Sequence, residues 1–474
     1  MKTNKKLLAM LTAVMTVFGV TACGSSSSSG SSTETTAETT TTTQKPVAVS
    51  DTSAIDSIDE NAQKDLVWMG TYDLNPAKGA NKSVEMTLFN NKGGTITWKV
   101  VTDSEKFSSL ATAVISNDAP DIFKYEWLAF PSQVLKNMYQ PVDDIVNFDD
   151  PLWVETKETA DQFVLNNKHY VAPISFSVGT LFMYDQNVIE SENLDDPYEL
   201  YTKGEWNWDT WYNLMDKFVT SAPDGETRFG INGWFQPQII QQTGKTMITY
   251  ENGEFKNNLN DADIERAENL LYEISKNGMI QGDWKGGARN ALIEEDILFY
   301  CMGPWALTGN NGPQETDNYK VVPVPPDPRA TGKYMTSDMM AYMWVKGSTA
   351  KEAVKTWYEC CRIANTEPEY LENSKEIFLN ANPAWDEEMY QVLADASSGE
   401  YKQIFDYGYG ISPTLSDDGA SADGSCVTRK LYEKVYSADE NGTPYTWTSL
   451  RGTYESIVNN ELKQINDAVK SFKG

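Results

Sequence analysis

The stretch TITWKVVTDSEKFSSLATAVISNDAPDIF, Thr95–Phe123, decides the fold class of this chain. Its first part, Thr95–Val101, is rich in β-branched and aromatic residues and predicts a β-strand. Phe107–Ser116 follows with apolar residues at helical spacing, and Ile122-Phe123 begins another strand just after Pro120. A strand, a helix and a second strand in this order are typical of a parallel α/β sheet.

Apolar residues elsewhere in the chain also repeat with strand or helix spacing. Leu66–Met69 predicts a short strand ahead of the quoted stretch. Helices are predicted at Asp209–Val219, Asp261–Lys276, Lys351–Ala364 and Tyr454–Phe472. With 474 residues, of which 40% are hydrophobic and 23% charged, the chain has a globular composition and accommodates one or two large domains.

The amino end has the features of an exported and lipidated protein. Lysines precede the apolar stretch Leu7–Val20, which is short for a membrane span and ends at small residues before Cys23. This ending resembles the bacterial lipobox, in which the cysteine receives an acyl chain such as palmitate. Of the 19 residues Ser25–Thr43, 15 are Ser or Thr, a composition that cannot bury a core. We predict a signal peptide over residues 1–22 and a lipidated cysteine with a disordered tether over residues 23–62.

The charge balance and the single histidine exclude several classes of function. The chain has 39 basic and 68 acidic residues, so its net charge of -29 disfavours nucleic acid and anionic lipid as partners. His169 is the only histidine, which rules out a two-histidine zinc site, and a Ser-His-Asp triad would have to use it. We expect a structural or surface role for His169.

The cysteines and loops give no sign of a metal or a cofactor. Cys301, Cys360, Cys361 and Cys426 show no disulfide-framework or metal-ligand spacing, so we expect free thiols. Gly-rich phosphate-binding motifs are absent, and no cofactor is predicted. The acidic segment Asp417–Asp423 lacks the ligand order of an EF-hand, which favours a solvated loop over a calcium site.

Six sequence blocks, spread over about residues 65–365, resemble one known family. The blocks are ATAVISNDAPDI (Ala111–Ile122), YQPVDD (Tyr139–Asp144), NKHYVAP (Asn167–Pro173), LFMYD (Leu181–Asp185), GEWNWD (Gly204–Asp209) and FYCMGPW (Phe299–Trp305). They are similar, in the same order, to the family 1 extracellular solute-binding proteins of ABC importers, a family that includes maltose-binding protein. Asn167 stands where the family usually has Gly, and Asp185 where it usually has Asn.

The resemblance implies an α/β fold of two lobes, the type II periplasmic-binding-protein fold, with a ligand cleft between discontinuous lobes. The crossings between lobes are expected near Pro173–Ser177, near Tyr334–Asp338 and near residues 375–385. The predicted lobes are residues 63–173 with about 336–380, and residues 174–335 with about 381–474.

The ligand in such a fold is expected on loops that follow the carboxyl ends of strands. At these places the chain has aromatic side chains next to carboxylates, a combination that suits the apolar faces and hydroxyl rim of a sugar. The residues that we predict to contact a ligand are Trp68, Tyr72, Asp73, Tyr125, Glu126, Trp127, Ser177, Trp234, Trp305, Asp338, Tyr407 and Trp447.

The function predicted from these patterns is capture of a carbohydrate by a monomeric lipoprotein on the outer face of the bacterial membrane, with delivery to the permease subunits of an ABC transporter. Three alternatives stay open at this point. The same fold takes a cationic or peptide solute, the chain is a surface glycosidase with two carboxylates, or it is an adhesin.

Overall fold

Two β-sheets organise the folded part of the chain. The computed structural model describes Ile55, Ile58 and residues 64–76, 82–416, 426–432, 434, 437–439 and 441–474, without the side chains of residues 336–338. The predicted signal peptide, Cys23, the tether up to residue 54 and the Asp417–Asp423 segment therefore lie outside the described residues. None of the described helices combines the length and apolar character needed to cross a bilayer.

The first sheet contains the parallel strands that were predicted from the sequence. Its strands are β1 (Asp65–Gly70), β2 (Thr95–Val100), β3 (Ile122–Lys124), β6 (Ala172–Val178), β13 (Tyr334–Trp344) and β14 (Lys402–Ile404). The order is β14-β13-β3-β1-β2, and β6 pairs with β13. Strand β1 is parallel to both β2 and β3, which confirms the α/β class expected from the strand–helix–strand order.

The second sheet and two small hairpins contain the remaining strands. The sheet has the order β12-β7-β11-β8, and β11 runs parallel to β8 and antiparallel to β7. Its strands are β7 (Leu181–Asp185), β8 (Phe229–Gly233), β11 (Ile297–Met302) and β12 (Tyr319–Pro323). The hairpins are β4 (Val164–Leu165) with β5 (Lys168–His169), and β9 (Ile248–Glu251) with β10 (Glu254–Asn257).

Helices cover the sheets and connect their strands. In chain order they are α1 (Val84–Asn91), α2 (Lys106–Ile115), α3 (Ser132–Leu135), α4 (Lys157–Ala160), α5 (Gln186–Ser191), α6 (Pro197–Lys203), α7 (Trp208–Thr220), α8 (Gln236–Gln241), α9 (Ala262–Lys276), α10 (Ala288–Leu292), α11 (Lys351–Ala364), α12 (Pro368–Ala381), α13 (Glu387–Ala396), α14 (Gly408–Ile411), α15 (Val427–Tyr432) and α16 (Trp447–Ser471).

The predicted helices are confirmed, and only the start of the last one was misplaced. Helix α7 begins at a capping box in which the Asn207 side chain accepts from the Thr210 N–H, while the Thr210 hydroxyl accepts from the Asn207 N–H. Helix α16 begins at Trp447 and not at Tyr454. The part of α16 that the prediction left out includes Gly452, a poor helix former. The start of the helix is therefore determined by the Thr446 cap and by the burial of Trp447.

Two paired strands join the sheets. Strand β6 belongs to the first sheet and leads through Gly179 and Thr180 directly into β7 of the second sheet. Strand β13 follows β12 of the second sheet and pairs antiparallel with both β6 and β3. These strands, which we call the crossing strands, occupy the positions of the first two predicted crossings. Residues 382–386 join α12, which contacts α1, to α13, which contacts both β12 and β6, and the third crossing expected near residues 375–385 stays a prediction. The exact division of the chain into lobes stays a prediction.

A buried arginine fixes the first crossing strand from the side of helix α11. The guanidinium of Arg362 donates to the carbonyl of Ile174 in β6 and, at 3.0 Å, to the carbonyl of Leu152. The carboxylate of Glu155 lies 3.6 Å from the same guanidinium, and the ring of Trp153 packs over it. The amino end of β6 is thereby held by a charged side chain that is itself buried.

A buried carboxyl group in helix α9 makes the stability of the fold pH-dependent. Glu268 is fully buried, and neither of its carboxylate oxygens has a hydrogen-bond partner among the described residues. Burial raises the pKa of Glu268 well above its ordinary value, so the folded chain keeps this proton at pH values where the unfolded chain has released it. The free energy of unfolding then falls as pH rises above the ordinary glutamate value, by up to about 1.4 kcal/mol per pH unit.

We predict that Glu268→Gln removes this contribution, because an amide does not titrate. Denaturant unfolding between about pH 5 and pH 8 should show a smaller loss of stability in the variant than in the unmodified chain. Glu273→Gln, at an exposed position on the same helix, is the matched control for replacing a carboxyl group by an amide. Equal slopes for Glu268→Gln and the unmodified chain would contradict the assignment.

Candidate ligand-binding site

The loop after β1 forms part of the carboxyl edge of the first sheet. Tyr72 is half-buried and packs its ring against Trp68 at 5.7 Å between centroids. The Oδ1 atom of Asp73 accepts from the backbone N–H and the side-chain amide of Asn75, both at 2.9 Å. Asp73 therefore closes a local turn, and Tyr72 is the better placed of the two to meet a ligand.

The loop after β3 brings an aromatic side chain and a carboxylate to the same edge. The N–H of Tyr125 donates to the carbonyl of Ala341 in crossing strand β13 at 2.9 Å. Glu126 begins a 3₁₀ turn closed by the N–H of Ala129, which donates to the Glu126 carbonyl at 2.8 Å. The turn leaves the Trp127 side chain 45% exposed. This loop is thus fixed by backbone hydrogen bonds while its side chains reach the surface.

The first tryptophan of the second sheet follows the parallel strand β8. The Trp234 N–H donates to the Cys301 carbonyl of β11 at 2.8 Å. Gly233, just before it, has φ +106°, and a Cβ there would lie 2.0 Å from the same carbonyl oxygen. Only glycine fits this approach, so Gly233 is required to place Trp234 at the sheet edge.

The second tryptophan follows the neighbouring strand β11. Trp305 lies in the Gly303-Pro304-Trp305 turn, and a Cβ at Gly303 would lie 2.7 Å from the Trp305 indole nitrogen. The same Cβ would lie 3.3 Å from the carbonyl oxygen of Gly179, which links crossing strand β6 to β7. Trp305 is therefore packed beside the point where the chain leaves the first sheet.

A third tryptophan at this edge, Trp284, was not predicted from the sequence. It lies in a loop that follows α9, and Asn232 of β8 holds this loop. The buried amide of Asn232 donates to the Gln281 carbonyl at 2.7 Å, to the Gln281 side-chain oxygen at 3.0 Å and to the Asp283 carbonyl at 2.9 Å. The sequence did contain a signal, because a tryptophan within the polar, glycine-rich run QGDWKGG has few apolar neighbours with which to form a core.

These three side chains form what we call the tryptophan cluster: Trp234, Trp284 and Trp305. Their ring centroids lie 5.8, 6.0 and 6.2 Å apart. They are 44%, 61% and 49% exposed, respectively. The Trp284 ring is tilted by 32° from Trp234 and by 31° from Trp305, and the Trp234 and Trp305 rings differ by 62°. The three centroids are almost equally spaced, so each ring contacts the other two.

Both edges adjoin the crossing strands. On the first sheet, the N–H of Tyr125 donates a hydrogen bond to the carbonyl of Ala341 in β13. On the second sheet, Gly303 lies close to the carbonyl of Gly179, the residue that follows β6. Because β6 and β13 pair with each other, the strand ends of the two sheets are tied to one hinge.

Three of the predicted ligand contacts are buried in the structure. Trp68 is buried beneath the first sheet, where its indole N–H donates to the Tyr72 carbonyl at 2.8 Å and its ring meets Tyr342. Tyr407 is buried among aromatic rings, with its hydroxyl donating to a backbone carbonyl. Trp447 is buried at the start of α16. Sequence patterns place each of these aromatic residues near a strand or helix end, but they do not show on which face its side chain lies.

Two further predicted contacts lie on the crossing strands themselves. Ser177 is buried within β6, and its backbone is in register with Asp338 of β13. The side chain of Asp338 lies outside the described part of the chain. A ligand role for these two residues stays a prediction.

The histidine and the cysteines have structural positions. The ring nitrogens of His169 lie 2.8 Å from the Asp143 carboxylate and 2.9 Å from the Asp161 carboxylate, and Phe148 packs against the ring. Within the described residues, no three His, Cys, Asp or Glu side chains are grouped to hold a metal ion. The four cysteines that the structure describes are buried and free, as expected: Cys301, Cys360, Cys361 and Cys426.

Solved structures of substrate-binding proteins are similar to this fold. The ABC substrate-binding protein Lmo0181 from Listeria monocytogenes, solved with cycloalternan, is 15% identical, with a TM-score of 0.58 over 84% of this chain and 99% of that one. The galacto-N-biose/lacto-N-biose I-binding protein of an ABC transporter from Bifidobacterium longum is 12% identical, with a TM-score of 0.56 over 86% and 98%. UgpB from Mycobacterium tuberculosis, solved with glycerophosphocholine, is 14% identical, with a TM-score of 0.56 over 85% and 100%.

These similarities confirm the two-lobe fold predicted from the sequence. Residues 37–374, well over half of the chain, match the family model described as bacterial extracellular solute-binding protein. The chain belongs to this family, whose members bind solutes outside the cytoplasm. No curated protein matches the chain.

We predict that Asn232→Leu destabilises the loop that holds Trp284, because three acceptors lose their buried donor. The free energy of unfolding should fall by about 1–3 kcal/mol in denaturant titrations. The control is Asn290→Leu, which removes a single exposed hydrogen bond to the Lys285 carbonyl and should cost less than about 0.5 kcal/mol. Equal losses in the two variants would show that Asn232 does not organise the loop.

Proposed function

We propose that this chain captures a carbohydrate between the carboxyl edges of its two sheets and delivers it, chemically unchanged, to the permease of an ABC transporter. The observation that carries the proposal is the tryptophan cluster, in which three large aromatic side chains are held half-exposed at the end of two parallel strands. Membership of the solute-binding family supports the binding role, and several similar structures contain or bind glycans.

Exposed indole rings in this arrangement favour a sugar. Burying such rings contributes to stability in most folds, yet here hydrogen bonds and close glycine contacts hold them at the surface. The apolar face of a pyranose packs on an indole face, and its hydroxyls remain at the rim.

The edge of the first sheet supplies the polar half of the proposed site. Glu126 offers carboxylate oxygens to ligand hydroxyls, and such charge-assisted hydrogen bonds are stronger than neutral ones. Trp127 adds an aromatic face beside it, with Tyr409 at 4.5 Å between centroids. A ligand that meets both edges makes contacts that neither edge makes alone.

The ligand is captured because it makes more contacts with the closed form of the protein than with the open form. If the lobes move about the crossing strands, a ligand that touches both edges stabilises the closed form over the open one. The permease would distinguish the loaded protein by this closed shape. Binding, closure and release need no bond to be broken, so we assign no catalytic residue.

A cationic solute is the second candidate. The net charge of -29 and the exposed indole faces suit a quaternary ammonium group, which binds over aromatic rings. UgpB, one of the similar structures, was solved with glycerophosphocholine. The carboxylate of Glu126 would serve either ligand, so a direct comparison has to decide between them.

A ligand screen tests the proposal. Thermal shift and calorimetry would use neutral mono- to tetrasaccharides, including cycloalternan and lacto-N-biose, beside choline, glycerophosphocholine and spermidine. Because a ligand that binds only the native state raises the melting temperature, a neutral glycan should give the largest shift. A larger shift with an ammonium compound would assign the cationic function instead, and release of reducing ends during incubation would indicate a glycosidase.

We predict that Trp305→Ala and Trp284→Ala each weaken binding of the best glycan by tenfold or more, without loss of folding. A stacked ring of this kind contributes about 1 kcal/mol or more in addition to its buried area. Trp305→Phe keeps an aromatic face and should lose less. Tyr272→Ala, an aromatic substitution on α9 outside the cluster, is the control for calorimetry. Unchanged affinity in both alanine variants would place the site elsewhere.

The amino-terminal segment supports a second proposal, that the protein is a monomer anchored by lipid on the outer face of the cell membrane. It rests on the sequence around Cys23, on the apolar stretch before it and on the Ser/Thr-rich run after it. Cleavage before Cys23 and acylation of its thiol would leave the folded part on a hydrophilic tether.

We predict that Cys23→Ala abolishes incorporation of radiolabelled palmitate and releases the protein from the membrane fraction. The matched control is Cys426→Ala, at a buried thiol of the folded part, which should keep both the label and the membrane association. Continued membrane association of Cys23→Ala would rule out this anchor.

A further inference from the structure

Lys106 is a buried lysine at the carboxyl edge of the first sheet, and the sequence did not single it out. It is only 6% exposed. Its ammonium lies 3.4 Å from the Glu126 carboxylate and 3.8 Å from the Asp103 carboxylate. Burial of an ammonium group costs several kcal/mol unless charged partners compensate, so a lysine at this depth needs a reason.

The position of Lys106 in its helix opposes local stability. It is the first residue of α2, where the partial positive charge of the helix dipole disfavours a cation. A residue that is placed against both burial and dipole is typical of a functional position. The fold of the first lobe alone would be served as well by an uncharged side chain.

The ion pair spans the strand ends on which the ligand is expected. Lys106 follows β2, Glu126 follows β3, and β1 lies between these strands. The pair therefore joins the chain segments that follow the two strands on either side of β1. The side chain of Glu126 is 29% exposed while that of Lys106 is 7% exposed, so the carboxylate is the outer member of the pair.

We propose that Lys106 is a positioning residue for ligand recognition: it orients the Glu126 carboxylate so that this group accepts hydrogen bonds from ligand hydroxyls. The lysine contacts Oε2, which leaves Oε1 to accept from the ligand. A carboxylate fixed by a buried cation loses less conformational entropy on binding than a free one, which favours affinity. This inference rests on the proposed carbohydrate function.

A double-mutant cycle tests the proposal, with calorimetry against the tightest-binding glycan of the screen. Lys106→Met removes the charge and keeps the length of the side chain, Glu126→Gln removes the acceptor charge, and a third variant combines both. We expect each single variant to weaken binding about tenfold and the double variant to be no weaker than about twentyfold, because both changes disable one unit. Lys106→Arg, which keeps a cation, should restore binding to within about threefold of the unmodified chain.

The outcomes separate a role in recognition from a role in folding. If Lys106 only supported the first lobe, Lys106→Met would lower the melting temperature while its folded fraction bound the glycan with unchanged affinity. Losses that multiply to about a hundredfold in the double variant would also overturn the proposal, since they would show that the residues act independently. Should the unmodified chain bind no glycan while it binds an ammonium compound, the proposed function fails, and this inference fails with it.

Discussion

The antiparallel pairing of β6 with β13 is the constraint on which the rest of the structure depends. These strands belong to the first sheet, yet one of them continues into the second sheet and the other arrives from it. Backbone hydrogen bonds along this pair bind the sheets together at one place, and the buried guanidinium of Arg362 holds the end of β6. Because the loops after β3 and β11 contact the crossing strands, both candidate half-sites are placed at the hinge.

The two half-sites differ in their chemistry, and the difference follows from local structure. On the second sheet, parallel strands end in glycines that permit close backbone approach, and the tryptophans follow them. On the first sheet, a short 3₁₀ turn and a buried lysine present a carboxylate beside an aromatic ring. An apolar face on one half-site and a charged acceptor on the other suit a molecule with apolar faces and a hydroxyl rim.

Sequence patterns predicted the fold well because they reflect local physics. The strand–helix–strand run Thr95–Phe123 can be recognised from β-propensity, helical periodicity and one proline. The structure contains the parallel sheet that this run predicts. Trp305 was predicted from the Gly-Pro-Trp block and Trp234 as a further candidate, and both follow strands in the structure. Trp68 and Trp447 are buried, which no local pattern reveals because burial depends on the packing of distant segments. Trp284 was missed although the polar, glycine-rich run around it was a signal, and Lys106 was missed because its ion pair with Glu126 forms only when the strand ends meet in the folded chain.

Small-angle X-ray scattering with and without the tightest-binding glycan tests most directly whether two hinged halves close on a ligand. We predict that the radius of gyration of the folded part decreases at saturation, and that it does not change when the same glycan is added to the Trp305→Ala variant at a concentration that leaves this variant unoccupied. An unchanged radius of gyration in the saturated, unmodified protein would contradict the account, because binding would then occur without closure.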